Sequence, residues 1–224
     1  MGGVIVGQAT APPLCYEPCG PIAPGCLPAV EDMMHEEVGD MPPLRIALLL
    51  GALVAQPSFW LLEPVAAAIS CGFGLAMAAI AISDARRFIV PDRLSLPAIP
   101  AGLLASGWLA AEMPAHEVML SHLTAALTGA LCLFAVREAY AALRGREGLG
   151  LGDVKLAAVA GAWTGFAGLP LVLLLACLGA VAAVLAASIR GKASVTATTA
   201  VPLGATLAPA IWLVWLAHMA GLPI

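Results

Sequence analysis

Two aspartates are the residues of this sequence whose type and position suggest chemistry. Asp84 ends one long apolar run, and Asp153 begins another directly after the glycine-rich stretch 148–152. A carboxylate at the rim of a membrane-spanning segment is costly to hold there and is usually functional. Two carboxyl groups a few ångströms apart cannot both ionise, so one acts as acid and the other as base around a single water. The pattern therefore predicts an aspartate pair that hydrolyses peptide bonds at the rim of a membrane.

Each aspartate also has a simpler interpretation. Asp84 is followed by Arg86 and Arg87, which would pair with a rim carboxylate, and Asp153 precedes an apolar run, where aspartate readily caps a helix. A second functional class also uses carboxylates in membrane segments, namely a transporter or proton channel in which the two aspartates relay protons or bind a cation. Transport favours carboxylates near the middle of the bilayer and broken helices in two related halves. The sequence shows no such repeat.

The elements that must position these aspartates follow from the composition. Of 224 residues, 61% are hydrophobic and 11% are charged, and the mean hydropathy is +0.97, outside the usual composition of soluble domains. A helix of about 17 to 25 apolar residues crosses the hydrocarbon core. We therefore predict an all-α, polytopic membrane protein with about seven transmembrane helices. Their predicted ranges are 46–62, 65–83, 94–111, 118–136, 154–167, 169–189 and 200–221.

The residues around Asp153 predict a close backbone approach. Gly148, Gly150 and Gly152 alternate, which removes Cβ atoms from one strip of backbone and lets another backbone or a substrate come near. The order differs from the phosphate-binding G-x-x-x-x-G-K-[ST] loop. Lys155 lies in the first turn after Asp153, where it would favour the ionised carboxylate or extend to the bilayer interface.

Basic residues predict the orientation. All ten lysines and arginines fall on one side of the predicted helices, whereas the opposite connections carry only Glu63, Glu112 and Glu117. The positive-inside rule then places the N-terminus and the loops at 84–93, 137–155 and 190–199 in the cytoplasm, and the C-terminus in the periplasm. The net charge is −4. No basic surface suggests a nucleic-acid partner.

The first 43 residues differ from the rest of the chain. Residues 1–43 contain no lysine or arginine and are rich in proline and glycine, so we predict a disordered acidic segment ahead of a transmembrane domain at 44–224. Cys15, Cys19 and Cys26 are spaced by four and seven residues with no histidine between them, unlike the paired C-x-x-C of a zinc site. We predict no metal site and no cofactor.

Other polar and aromatic residues receive structural interpretations. Asp92 precedes a predicted helix, and we expect it to cap the N-terminus of that helix. Trp60, Trp108, Trp212 and Trp215 fit an outer or mid-membrane aromatic belt better than a cofactor site.

The residues around both aspartates resemble the bacterial type IV prepilin peptidases, aspartic proteases of the GxGD class. The stretch 147–156 is similar to the family's second-aspartate motif almost letter for letter, and 84–92 is similar to its first-aspartate loop. A third element, 201–204, resembles the Pro-Phe-Gly near the family's last helix, with Leu203 in place of phenylalanine. The resemblance covers roughly residues 65–221.

This resemblance implies an endopeptidase of the bacterial inner membrane that cleaves the basic leader of prepilins or pseudopilins on the cytoplasmic side. The substrate's apolar N-terminal helix follows the cleaved bond. Longer members carry an N-terminal domain with paired C-x-x-C motifs that is linked to N-methylation, and residues 1–43 lack that spacing, so only the peptidase activity is implied. Its catalytic residues would be Asp84 and Asp153. The supporting residues would be Glu147, Gly150, Gly152, Lys155, Pro202 and Gly204.

Overall fold

A computed structural model of the protein describes residues 44–110, 113–145, 148–189 and 202–222. These residues form α-helices joined by short connections, with no strand among them, which confirms the predicted all-α class. The segment 1–43 with its three cysteines, and Glu147, lie outside the described residues. The helices are α1 (Leu44–Leu61), α2 (Pro64–Arg87), α3 (Asp92–Trp108), α4 (Ala115–Arg144), α5 (Leu151–Ile189) and α6 (Leu203–Met219).

Three of these helices are long and apolar enough to cross a membrane. They are α2, α4 and the part of α5 that covers Leu151–Ala186, with hydropathies of 2.2, 1.8 and 2.7 over their most apolar windows. The shorter helix α6 is also apolar. Large aliphatic side chains lie exposed along these helices, for example Leu131 and Leu174, as expected for surfaces that face lipid and not water.

Helix α5 accounts for the difference between the seven predicted helices and the six in the described residues. Gly165 interrupts α5 with φ 63° and ψ −167°, a conformation that is essentially restricted to glycine. The carbonyl oxygen of Ala162, close to this break, accepts a hydrogen bond of 2.9 Å from Nδ1–H of His122 on α4. Hydropathy places the boundary between two helices at residue 168, three residues beyond this break.

The chain reverses its direction at Gly165. In a straight helix, Ala157 and Leu169 would be about 18 Å apart along the axis. Instead, the Ala157 carbonyl oxygen and a Leu169 methyl carbon lie 2.9 and 3.2 Å from the position that a Cβ on Gly129 would occupy. The two halves of α5, 151–164 and 166–189, therefore pack side by side against α4.

A cluster of three aromatic rings ties α2, α5 and α6 together. Phe73 stacks on Trp163 with centroids 3.6 Å apart and planes 6° apart, and Trp215 meets Trp163 edge-on at 5.4 Å. Trp163 also reaches α3, because its Nε1–H donates to the carbonyl oxygen of Ala98 at 2.8 Å. Aromatic pairs of this kind add to the energy of burial, so the cluster fixes how these helices sit against one another.

The aromatic-belt prediction is wrong for the two tryptophans of α6. Trp215 is 2% exposed and Trp212 is 9% exposed, and Nε1–H of Trp212 donates to Ser70 of α2 at 3.1 Å. Both rings therefore pack between helices. Trp60 and Trp108, by contrast, are 85% and 79% exposed.

Candidate active site

The aromatic cluster sets the level at which three functional groups meet. Asp84 follows Phe73 by eleven residues, Asp153 precedes Trp163 by ten, and the start of α6 at Gly204 precedes Trp215 by eleven. At 1.5 Å per residue, these separations are all about 15 to 17 Å. Three helices joined at one aromatic layer therefore present two carboxylates and a helix N-terminus at a second, common layer.

The carboxylate of Asp84 contacts the first turn of α6. The residue is 6% exposed, and its Oδ2 accepts a hydrogen bond of 2.7 Å from the backbone N–H of Ala205. The N-cap residue of α6 is Pro202, which has no side-chain cap, and the first N–H groups of a helix lack partners within it. Asp84 therefore supplies from α2 the acceptor that α6 does not provide for itself. The positive end of the α6 dipole favours a carboxylate there.

Gly204 is required by this contact. A Cβ on Gly204 would lie 2.9 Å from Cγ and 2.9 Å from Oδ2 of Asp84, closer than real Cβ atoms approach other groups. Glycine thus lets the backbone of α6 reach the carboxylate directly. The Pro202 and Gly204 that the family resemblance marked as supporting residues are here the cap and the close-packed position at the start of α6.

The chain turns sharply just after Asp84. Phe88 ends α2 in a left-handed conformation, φ 56° and ψ 32°, and its N–H donates to the backbone oxygen of Asp84 at 2.8 Å. Ser83 Oγ donates to the carbonyl oxygen of Ile89 at 2.9 Å. The side chains of Phe88 and Ile89 are 56% and 55% exposed. The backbone of Asp84 and the side chain of Ser83 therefore help to hold the loop 88–91 beside the site.

Asp153 lies in the first turn of α5, two residues after its start. Its backbone N–H bonds the carbonyl oxygen of Gly150 at 3.2 Å. The N-cap interpretation of Asp153 is wrong, because α5 already begins at Leu151 and a residue two positions inside the helix no longer holds the cap position.

The glycines before Asp153 have different surroundings. A Cβ on Gly152 would lie 2.7 Å from Cγ2 of Val90, and one on Gly148 would lie 2.4 Å from the ring of Tyr140. A Cβ on Gly150, in contrast, would meet its nearest atom, Oδ2 of Asp153, at an ordinary 3.6 Å. Gly148 and Gly152 therefore allow close packing within the protein, while Gly150 leaves space beside the carboxylate.

Asp84 and Asp153 line one cleft. Its volume is about 640 Å³. The remaining lining comes from the loop after α2, the glycine-rich stretch and the starts of α3, α5 and α6, namely Phe88, Ile89, Val90, Asp92, Gly148, Leu149, Gly150, Leu151, Gly152, Lys155, Pro202 and Leu203.

Lys155 pairs with Asp92. Nζ of Lys155 donates to Oδ1 of Asp92 at the start of α3, and the two side chains are 33% and 57% exposed. The expectation that Asp92 caps α3 is wrong, because Pro91 occupies the N-cap position and Asp92 makes no cap bond from there. Its carboxylate is instead directed to the ammonium group of a neighbouring helix, so Lys155 joins α5 to α3 across the cleft.

Several residues of the site gave no signal in the sequence. Val90, Tyr140 and Ala205 take part only through contacts with glycines or through a backbone N–H, and such roles do not depend on a distinctive side chain. Within the described ranges, no three His, Cys, Asp or Glu side chains cluster as they would around a metal ion. A nonpolar Leu203 lies where the cleft meets α6.

Comparison with known proteins gives one family. A profile of the type IV leader peptidase family matches residues 71–186. A prepilin leader peptidase/N-methyltransferase of Burkholderia pseudomallei (strain 1026b) is 37% identical over 157 residues, which are 69% of this chain and 48% of the relative. A protein of the same name from Dichelobacter nodosus is 33% identical over 174 residues, 77% of this chain and 57% of the relative.

The match to relatives is partial. A prepilin leader peptidase/N-methyltransferase of Pseudomonas aeruginosa (strain PAO1) is 36% identical over 140 residues, 60% of this chain and 44% of the relative. The chain thus spans about half the length of the curated relatives it matches. No solved structure matches it. Because the family profile covers half of the chain and includes both Asp84 and Asp153, this protein belongs to the type IV leader peptidase family.

Proposed function

We propose that this protein is a membrane aspartic endopeptidase that removes the basic leader of type IV prepilins or pseudopilins at the cytoplasmic side of the inner membrane. The observation that carries this proposal is the meeting of Asp84 and Asp153 in one cleft, although they lie 69 residues apart in the chain. Family membership supports the reaction class. The names of the relatives support the substrate class, since each is called a prepilin leader peptidase.

The two carboxyl groups would work as a pair that shares one proton. The ionised carboxyl takes a proton from a water held between the two aspartates, and the water oxygen attacks the carbonyl carbon of the peptide bond. The other carboxyl donates its proton to the carbonyl oxygen. The tetrahedral intermediate then collapses, a proton passes to the departing nitrogen, and the leader and the new N-terminus are released.

The contact with α6 would serve this mechanism by fixing one partner in advance. Oδ2 of Asp84 is held by the N–H of Ala205, so the carboxyl is oriented before substrate enters. A group held in its reactive geometry needs no reorganisation during the reaction. The main chain thus holds Oδ2 of Asp84 while the carboxyl group faces the cleft.

Charge supports cleavage on the cytoplasmic side. Arg86, Arg87 and Arg93 flank the loop between α2 and α3, and Lys155 follows Asp153, so the end of the protein that carries the cleft is also its basic end. Basic residues near membrane-spanning helices collect in the cytoplasm. The proposal covers the peptidase activity of the unit 44–224 and does not extend to N-methylation, which the relatives' names also include.

The test is cleavage of a purified prepilin with a basic leader by the protein in proteoliposomes. We expect Asp84→Asn and Asp153→Asn each to lower the rate at least a hundredfold, because an amide keeps the shape but cannot exchange the proton. Glu117→Gln is the matched control, since it removes an exposed carboxylate in the first turn of α4. Either aspartate variant cleaving within a few-fold of the unmodified protein would refute the two-aspartate mechanism.

The same proteoliposomes separate the proposal from the transporter hypothesis. A transporter would move protons or cations across the membrane in a manner that depends on both aspartates, and it would leave the prepilin uncut. Ion flux lost in both asparagine variants, together with no cleavage by the unmodified protein, would replace the peptidase proposal.

A further inference from the structure

A second cavity of about 270 Å³ lies between the C-terminal half of α5 and the start of α6. Its lining is entirely aliphatic, and two of the side chains, Val181 and Leu185, are 56% and 57% exposed. This apolar groove is formed by Ala180, Val181, Val184, Leu185 and Leu203.

The apolar groove begins where the catalytic cleft ends. Leu203 lines both cavities, and the next residue, Gly204, lies directly against the carboxylate of Asp84. Ala205, whose backbone N–H bonds Asp84, thus lies two residues after Leu203 of the groove. The cleft and the apolar groove therefore adjoin at Leu203.

The two cavities differ in chemistry in a way that matches the two parts of a leader-bearing substrate. Three carboxylates line the cleft, those of Asp84, Asp92 and Asp153, against the single ammonium of Lys155, so its charge suits a basic peptide. The groove carries no polar side chain. It would therefore exclude a charged leader and accept hydrocarbon.

We propose that the apolar groove binds the apolar segment of the substrate that directly follows the cleaved bond. This inference rests on the proposed function and adds to it a binding site for the part of the substrate that stays in the membrane. Because lipid tails are as apolar as leucine, the groove would act through close packing and placement more than through removal from water. Its effect should therefore be on substrate positioning, seen in KM and kcat/KM.

The experiment compares two substrates and two variants. The substrates are a full-length prepilin and a short peptide that contains the leader and the cleavage junction but lacks the apolar segment. Ala180→Phe fills the groove, and Ala183→Phe places the same ring at an exposed position of the same turn of α5 that does not line the groove. We expect Ala180→Phe to lower kcat/KM for the prepilin at least tenfold, mainly through KM, and to change cleavage of the short peptide less than twofold. Ala183→Phe should change neither.

Two results would overturn the groove site. Equal losses on both substrates would show that the ring acts through the aspartates, and unchanged cleavage of both would show that the groove is not used by substrate. A photoreactive residue at position 185 gives a second, independent reading in the Asp153→Asn variant. It should cross-link to the prepilin, and cross-linking only to phospholipid would assign the groove to an acyl chain.

The design also keeps the two proposals apart. If the unmodified protein cleaves neither substrate, the proposed function fails, whereas the cross-link at position 185 still reports whether a prepilin occupies the groove. If the unmodified protein cleaves both substrates and Ala180→Phe has no selective effect, the function stands and the groove site fails.

Discussion

Replacing Gly204 by alanine tests whether the start of α6 positions Asp84. The new Cβ would lie 2.9 Å from Cγ and Oδ2 of Asp84 and 3.3 Å from Oδ1. Carbon atoms in ordinary contact are about 3.5 to 4.0 Å apart, so the carboxylate and the helix must separate by about 0.6 to 1 Å. The hydrogen bond from Ala205, now 2.7 Å, would then exceed the range in which N–H groups bond oxygen.

The size of the effect follows from that lost hydrogen bond. A hydrogen bond to a charged group contributes about 1.5 to 3 kcal/mol, and each 1.36 kcal/mol of transition-state stabilisation changes a rate about tenfold. We therefore expect Gly204→Ala to lower kcat/KM about 10- to 150-fold. The protein should remain folded, because the aromatic cluster of Phe73, Trp163 and Trp215 still joins α2 to α6.

The assay is the rate of prepilin cleavage by purified variants in proteoliposomes at equal protein amounts. Gly72→Ala is the control, because it lies on α2 with Asp84 and its new Cβ would meet no atom within 4 Å. It should cleave at the unmodified rate. A Gly204→Ala protein that cleaves within twofold of the unmodified rate would show that the contact with α6 does not position Asp84.

Four further predictions concern the glycines before Asp153, the ion pair of Asp92 and the orientation in the membrane. Gly152→Ala should reduce cleavage about 5- to 150-fold, since its Cβ would overlap Val90 at 2.7 Å and overpacking costs about 1 to 3 kcal/mol. Gly150→Ala should lose less in the same assay, because its nearest neighbour is at 3.6 Å; the reverse order would refute this account of the glycines. Asp92→Asn should cost about fivefold at most, because an ion pair this exposed contributes roughly 0 to 1 kcal/mol, and abolished cleavage would instead give Asp92 a role in catalysis. In a cysteine-free protein in intact cells, an impermeant thiol reagent should label a single cysteine at position 115 and not one at position 146, and the opposite labelling would invert the proposed orientation.

Local properties of the sequence are enough for the fold class and for the two aspartates. Hydropathy alone indicates helices that cross a membrane, and a charge at the end of such a run stands out against its neighbours. Asp84 and Asp153 can therefore be predicted as site residues from their sequence positions, and the folded chain brings both to one cleft. The family resemblance carried by the same stretches is confirmed by the profile match over 71–186.

The partners of these residues are decided only by tertiary structure. Asp84 bonds Ala205, 121 residues away, and Lys155 bonds Asp92, 63 residues away, whereas the sequence suggests neighbours along the chain. The rotation of each helix about its own axis selects such partners. The sequence of a membrane helix encodes this rotation poorly, because the lipid-facing side is as apolar as the packed side. Leu156 is fully buried and Leu174 is 54% exposed on the same helix, although both are leucine.

The exact position at which α5 reverses is also decided only by tertiary structure. Hydropathy divides this apolar stretch at residue 168, but it does not identify the residue that breaks the helix, because a glycine inside such a stretch is compatible with a straight helix. Only the packing of both halves against α4 shows that Gly165 adopts a conformation open to glycine alone. The sequence by itself thus determined which residues enter the membrane and which of them carry charge. The contacts between helices decided the exact residue at which the chain turns back, and which backbone N–H holds the first aspartate in place.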